Sequence, residues 1–327
     1  MKAVVYEEYG PPEVMRVAEL PFPEPKGNQV LVRIEAVEAT KGDCELRNMR
    51  FQVKWFVWAL RLAWGVRRPR RRSRVLGGYW AGEVTACGSE VTRFKTGDRV
   101  LGCAGLRMGA YAEYAMYPET NAIARLPEGV SATSGAASLL GGLNALHFLN
   151  LAGVGAGDEL LIVGGGGSIG LAAIQMGKAR GARVTAVDRP EKAELIGAAG
   201  ADRFIDCSRE DFAAEGPCWD VVFSMPAAVT LATCLGAAKP GGRVMLGNPR
   251  FADLLRGRFG KPKEGRRVGV AFARESQAEL EALVGMLEDG SLRPIIDRVM
   301  PLEDVAEAHR RVESEARMGV VVLAPNG

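Results

Sequence analysis

Histidine is almost missing from this 327-residue chain, which has only His147 and His309. Its six cysteines, at 44, 87, 103, 207, 218 and 234, form no CxxC pair. A structural zinc site needs about four close sulfur or nitrogen ligands, and a catalytic one about three plus a water. Neither spacing is present, so the cysteines read as reduced, mostly buried thiols. His147, in LNALHFLN, is expected on a helix at a domain seam. His309, in EDVAEAHRRVE, is expected on a helix surface, and neither reads as a base. The opening MKAVVYEEYG lacks an apolar core of signal-peptide length and acids follow at once, so a cytoplasmic protein is expected. The longest tryptophan-rich apolar run, Trp55 to Val66, is broken by Arg61 and falls well short of the ~20 residues that span a bilayer. Acid is absent from one stretch in particular. Arg47 to Arg74 holds ten basic residues and no acidic one, leaving 32 basic against 39 acidic elsewhere. The net charge of +3 is therefore a local feature.

What is present is enough apolar material, 47% of the residues, for the cores of two ordinary domains. The first 120 or so residues are β-rich: KAVVY, QVLVRIEAVEAT, YWAGEVTACG, DRVLGCA and GAYAEYAMYP are short β-prone runs punctuated by Gly, Pro and Asp. Such spacing predicts a small closed sheet or barrel. After the small-residue helix LPEGVSATSGAASLLGGLNALHFLN, apolar strands alternate with helices, which predicts a parallel sheet covered on both faces. SQAELEALVGMLEDG predicts an amphipathic helix stopped at Gly290, and the tail gives one more helix and a final strand.

The stretch DELLIVGGGGSIGLAAIQMGKARGARVTAVD divides into strand, glycine turn, helix and second strand. Gly165, Gly167 and Gly170 fit G-x-G-x-x-G, and Asp188 closes the next strand 18 residues on. In this setting the pattern is the dinucleotide fingerprint. The first glycine permits the tight turn, the second lets backbone approach a diphosphate, and the third lets helix pack on strand. The helix N-terminus offers free N–H groups and partial positive charge to the phosphates; Ser168 adds a hydroxyl, and Ile169 lies in the same turn. Asp188 can accept from the adenine-side ribose hydroxyls and would repel a 2′-phosphate. Arg189 and Lys192 follow and could bind that phosphate instead. NAD(H) is favoured over NADP(H), and the choice stays open.

In order and wording these pieces resemble the medium-chain dehydrogenase/reductase superfamily over nearly the whole chain. The resemblance is carried by TKGDCELR, VLGGYWAGEVTACGSEVTRFKTGDRVLG, GAYAEY, LIVGGGGSIGLAAIQMGKARGA, GAAGAD and RPIIDRVMPLEDVAEAHR. The branch it is most similar to is the zinc-independent quinone-oxidoreductase-like proteins. The resemblance implies an α/β chain: a GroES-like β-barrel catalytic domain (1–121), a Rossmann doubly wound parallel sheet (122–273) and a C-terminal return to the catalytic domain (274–327), with the active cleft between the domains. It also implies a homodimer. Zinc-bearing relatives carry Gly-His-Glu near LGGYWAGEV; here Gly78 holds the histidine place and Tyr79 the glutamate place. Where their four-cysteine lobe would follow, only Cys103 is nearby, and Cys44 lies close to a first-ligand position. No zinc is expected. Without that Lewis acid, the implied chemistry is hydride transfer to a quinone or α,β-unsaturated carbonyl. The runners-up are a weak alcohol or aldehyde dehydrogenase and a low-turnover nucleotide-sensing protein at a membrane surface. Thr40, Asp43 and Tyr79 are the implied proton donors, although Asp43 also suits a helix cap and Tyr79 packing. The resemblance also places Asn144, Ser224–Met225 and Gly247–Asn248 near the nicotinamide half of the cofactor.

Residues 51–74, FQVKWFVWALRLAWGVRRPRRRSR, link two of the family's motifs and are long for that place. FQVKWFVWALRLAWGV predicts about four helical turns. Three readings compete: an insertion that packs Trp55, Trp58 and Trp64 over the cleft, a membrane-surface helix, and a nucleic-acid patch. The last fits least, because phosphate binding does not need so many tryptophans.

Overall fold

The computed structural model describes residues 1–260, 263–270 and 275–325, except the side chains of Arg258 and Lys263. The chain opens with β1 (Lys2–Tyr6), β2 (Met15–Glu19) and β3 (Gln29–Glu38), followed by α1 (Lys41–Asn48) and α2 (Val57–Trp64). Next come β4 (Tyr79–Cys87), β5 (Arg99–Cys103), β6 (Tyr114–Pro118), β7 (Ile123–Arg125) and α3 (Ala132–Ala152). A strand–helix alternation follows: β8 (Glu159–Val163), α4 (Ser168–Ala179), β9 (Arg183–Asp188), α5 (Ala193–Ala198), β10 (Arg203–Asp206), β11 (Trp219–Ser224), α6 (Leu231–Ala237), β12 (Ala238–Leu246), α7 (Phe251–Phe259) and β13 (Arg267–Val270). The chain ends with α8 (Gln277–Glu288), β14 (Ile296–Pro301), α9 (Val305–Glu313) and β15 (Val320–Ala324).

These elements form two compact units, Met1–Leu139 with Glu275–Gly327, and Leu140–Arg274. The first boundary falls later than residue 121 because β7 pairs antiparallel with β5 and so belongs to the first unit's sheet.

The first unit holds a sheet in the order β14-β15-β3-β4-β5-β7, with β6 also on β3, and the pair β1-β2. Its core includes Val32, Ile34, Trp80, Val100, Tyr117 and Val321, and Trp80 stacks on Tyr117 at 4.7 Å. Alternation along β3 explains the geometry: a period of two sends successive side chains to opposite faces. In the second unit every paired strand is parallel, in the order β10-β9-β8-β11-β12-β13. Counted from β8, that order is 3-2-1-4-5-6, the doubly wound arrangement whose reversal point lies between β8 and β11. Leu161, Val163, Val187, Val222 and Val244 form its core. Continuous apolar runs such as ELLIV suit strands covered on both faces.

Residues 51–74 depart from expectation. The α-helix is confined to Val57–Trp64, about two turns, with a single 3-10 turn at Arg71–Ser73. The helix stops at Gly65, whose φ is +134°; a Cβ there would lie 2.0 Å from the Arg68 carbonyl oxygen, so the chain must double back. Trp64 is buried, whereas Trp58 is 68% exposed. His309 is also corrected: it is fully buried, because α9 turns Val305, Ala308, His309 and Val312 inward together.

Candidate functional site

The second unit brings the predicted cofactor residues to one end of its sheet. The chain leaves β8 through Gly164–Gly167 and enters α4 with Gly167 as N-cap. The positive φ that makes the turn falls on Gly164 (+88°) rather than Gly165. Gly165 is required for lateral packing, since a Cβ there would approach Ala186 Cβ to 2.8 Å. Gly170 lets helix and strand close, for its Cβ would sit 2.3 Å from the Gly164 carbonyl oxygen. Gly167 differs: its Cβ would meet nothing nearer than 3.7 Å, leaving the backbone approachable from outside. As in any helix, the first-turn N–H groups, here from Ser168 onward, have no carbonyl one turn back. They form a cradle of donors at the positive end of the helix dipole.

Asp188, at the end of β9, reaches across to this cradle. Its Oδ2 accepts from Gly166 N–H at 2.8 Å, and its Oδ1 accepts from Arg189 N–H at 2.8 Å. A carboxylate has about four acceptor positions, so capacity remains for ribose hydroxyls. Lys192 is buried, with its stem lying where a Cβ on Gly166 would go (2.7 Å).

The ends of β8, β11 and β12 converge beside the turn. Met225 N–H donates to Val163 O at 3.1 Å, and Gly247 N–H donates to Ser224 O at 3.0 Å. Asn248 Nδ2 donates to Met225 O at 3.0 Å. A Cβ on Gly247 would lie 2.3 Å from Met225 Sδ, so the thioether covers that glycine. Asn144, half-buried on α3, donates to Leu140 O at 2.9 Å. Strand ends gathered at the reversal point are where a doubly wound sheet takes its ligand. Glycine cradle, free helix N-terminus and Asp188 together fit a dinucleotide.

In the first unit, Thr40 and Asp43 form a capping box at the start of α1. Thr40 Oγ1 accepts from Asp43 N–H at 3.0 Å and donates to Asp43 Oδ2 at 2.6 Å, while Thr40 N–H donates to the same oxygen at 3.0 Å. Gly77 N–H donates to Asp43 Oδ1 at 3.0 Å, and the Tyr111 hydroxyl also reaches this carboxylate. Asp43 has no exposed surface. Burial lifts its pKa above the usual carboxylate range, against the pull of these donors. The Thr40 hydroxyl and the Asp43 oxygens are engaged within the chain, where they hold the turn two residues before Tyr79.

Behind Asp43 lies a buried chain of polar groups. Arg47 Nη1 donates to His309 Nδ1 at 2.8 Å. Arginine has only donors, so the ring proton sits on His309 Nε2, which donates to Tyr111 Oη at 3.1 Å. Arg47 also pairs with Glu313. Burial first, and the Arg47 charge second, push the His309 pKa down to about 3, so the imidazole is neutral.

Tyr79 opens β4 opposite Cys103 of β5, and its hydroxyl bonds to Glu275, a residue sequence reasoning missed. Glu275 also accepts from Gly105 N–H; burial raises its pKa, and the Tyr79 and Gly105 bonds oppose that rise. Burial and then the Glu275 charge raise Tyr79 well above an ordinary phenol, and burial and Glu275 do the same to Cys103. Nothing local marks Glu275 in the sequence, since it precedes an ordinary serine cap. Among the described residues no group of three or more His, Cys, Asp or Glu is gathered to hold a metal. Among the described residues, too, no helix is long and apolar enough to cross a membrane.

The family described as "Alcohol dehydrogenase GroES-like domain" matches residues 26–128, and "Zinc-binding dehydrogenase" matches 199–323. The quinone oxidoreductase of Sus scrofa is 30% identical over 339 residues, covering 99% of this chain and 97% of the relative. An NAD-dependent alcohol dehydrogenase of Sulfurisphaera tokodaii is 29% identical over 365 residues, covering 99% of this chain and 100% of the relative. The solved structure of the quinone oxidoreductase from Coxiella burnetii matches with a TM-score of 0.85 at 28% identity, over 99% of each chain. A GroES-like domain joined to a Rossmann sheet, with relatives of this kind, defines an NAD(P)-dependent oxidoreductase. The chain belongs to the medium-chain dehydrogenase/reductase superfamily, in its quinone-oxidoreductase-like branch.

Proposed function

We propose that this oxidoreductase passes hydride between NAD(P)(H) and a lipophilic quinone or α,β-unsaturated carbonyl without zinc. The observation that carries the reading is the donor set at Tyr79: a phenol bonded to the Glu275 carboxyl, beside a lone thiol, with Gly78 where zinc-bearing relatives are expected to have histidine. Such a set suits proton donation to oxygen better than cation binding. A conjugated acceptor spreads the negative charge that hydride brings, so one O–H donor plus solvent can complete its reduction. The names of the quinone oxidoreductase relatives support the same acceptor class.

The nicotinamide, when bound, supplies or receives the hydride. The chain seats the diphosphate on the N–H groups of Gly167, Ser168, Ile169 and Gly170, with Gly165 keeping the turn tight. Asp188 accepts the ribose hydroxyls, which favours NAD(H); Arg189 and Lys192 stand where a 2′-phosphate would need cations. Asn144, Met225 and Gly247 bound the nicotinamide half. Tyr79 Oη, held by its bond to Glu275, gives its proton to the substrate oxygen, and solvent restores it. Thr40 and Asp43 act through position, holding Gly77 and hence Tyr79. By resemblance the protein works as a homodimer, which light scattering checks.

The test is consumption of NADH and NADPH, followed by absorbance, with a panel of short quinones and enones, beside elemental analysis. Quinone turnover by zinc-free protein is the expected result. Turnover of simple alcohols by protein holding stoichiometric zinc would move the reading to an alcohol dehydrogenase, as one relative's name suggests. Tight cofactor binding with no acceptor consumed would leave a nucleotide-sensing protein.

A further inference from the structure

We propose that α2 and the arginines that follow it form a docking face for an anionic lipid bilayer, lying along the headgroup layer without crossing it. The helix is apolar on two opposite faces. Leu60 and Trp64, one turn apart, pack into the first unit's core. Trp58, Leu62 and Val66, also spaced by four, are 68%, 56% and 58% exposed. A surface helix on a water-soluble protein ordinarily turns polar groups outward; this one turns out an indole and two aliphatic side chains. The one charged residue inside α2, Arg61, is drawn back, with Nη1 donating to Val66 O at 2.8 Å and its guanidinium 5.7 Å from the Tyr9 ring centroid.

The basic residues are held at the C-terminal end of this stripe. Arg70 N–H donates to Trp64 O at 2.7 Å, and Arg70 Nη2 donates to Leu62 O at 2.8 Å. These bonds fold the chain back beside the helix and leave Arg67, Arg68, Arg71 and Arg72 exposed there. Indole at the water–hydrocarbon boundary, aliphatic side chains inserted shallowly, and guanidinium groups on phosphates form the binding mode of an interfacial helix.

Charge and shape select among occupants. A second copy would present the same exposed arginines, Arg67, Arg68, Arg71 and Arg72, across a self-complementary contact, where like charge opposes pairing. A nucleic acid would engage the arginines but give Trp58, Leu62 and Val66 nothing apolar to enter. A bilayer with anionic headgroups satisfies both halves of the face. This inference is independent of the oxidoreductase reading, because vesicle binding and cofactor turnover are scored separately.

The experiment is co-sedimentation of the full chain with vesicles of phosphatidylcholine alone, or with about one third phosphatidylserine, at rising salt. The expected result is at least about tenfold stronger partition to the anionic vesicles, weakened by salt, with a blue shift of tryptophan emission. The W58S/L62S double variant should lose about tenfold of that partition and most of the blue shift, and R67Q/R68Q/R71Q/R72Q should abolish the difference between the two vesicle types. All six side chains are exposed, so melting temperature and NADH binding should match wild type in both variants; a melting scan accompanies each assay. No pelleting of wild type at low salt, unchanged partition of both variants, or tighter retention on duplex DNA than on vesicles would each overturn the proposal.

Discussion

Two regions of the first unit invert the usual rule of apolar inside and polar outside, and they do so in opposite senses. The Asp43–Tyr111–His309–Arg47 chain buries four polar side chains, all at 1% exposure or less. α2 exposes Trp58 and Leu62, and the turn after it exposes Val66. In the buried chain each deviation is answered within the molecule: Arg47 donates to His309, His309 to Tyr111, and Asp43 collects the donors around it. Among the described residues, this outward stripe has no such answer. A buried polar group without partners would carry a desolvation cost of about 1–3 kcal/mol, so the charged members of this chain are all paired. An exposed apolar side chain has no comparable requirement, and it persists where something outside makes use of it. The buried inversion is therefore architecture, and the exposed one points to a partner.

The comparison is broken most directly by treating the two faces of α2 alike. Trp64→Ala empties a core position and should lower stability by about 3–5 kcal/mol, measured by denaturant unfolding. A loss below 1 kcal/mol would mean that α2 is only loosely held.

His309→Gln should cost about 2–3 kcal/mol at neutral pH, since the buried Arg47 and Tyr111 groups lose their geometry. It should also change the shape of the pH profile. With the folded pKa pushed down to about 3 by burial and Arg47, the imidazole stays neutral while the unfolded histidine takes up a proton below about pH 6.5. The unfolded state then binds more protons, so stability is complete above about pH 6.5 and falls on acidification by up to ~1.4 kcal/mol per unit. The variant should lack that slope above the carboxylate range, and an unchanged slope would place its origin elsewhere.

The second unit sharpens the contrast, because Asp188 is satisfied internally and still has acceptor capacity. Asp188→Ser should shift the NADH-to-NADPH affinity ratio about tenfold toward NADPH, equivalent to ~1.4 kcal/mol. A fixed ratio, read by titration, would limit the carboxylate to holding Gly166. Gly167→Ala meets open space and should leave stability within about 1 kcal/mol, yet weaken dinucleotide binding about tenfold. Unchanged affinity would place the diphosphate elsewhere. The smallest effect belongs to Trp58→Ser, which should move stability by no more than about 0.5 kcal/mol, in contrast to its neighbour Trp64.

What the sequence disclosed follows from where the constraint lies. The glycine turn was legible because a Cβ on Gly165 or Gly170 would lie only 2.8 Å from Ala186 Cβ or 2.3 Å from the Gly164 carbonyl oxygen, and no other residue type fits. Even so, the positive φ sat one residue earlier than the motif implied. The helix in 51–74 was read as twice too long, because apolar content says nothing of Gly65 and the back-folded Arg70. His309 was misplaced on a surface although it shares the inward register of Val305, Ala308 and Val312; its polarity outweighed its spacing. Asp43 was legible as a cap from TKGD, but its links to Gly77 and Tyr111 depend on residues 34 and 68 positions away. Glu275 carried no local mark at all.

The pairing of β15 with β3 has a consequence for synthesis. Val322 and Leu323, which meet Glu38 and Val37, are made long after their partners. The second unit, which lies between them in sequence, has all of its strands in hand before β3 receives this neighbour. β3 must therefore wait, with that sheet edge open, until β15 has been made, and a nascent chain that stops before residue 320 is the form in which that edge is most exposed to misassembly.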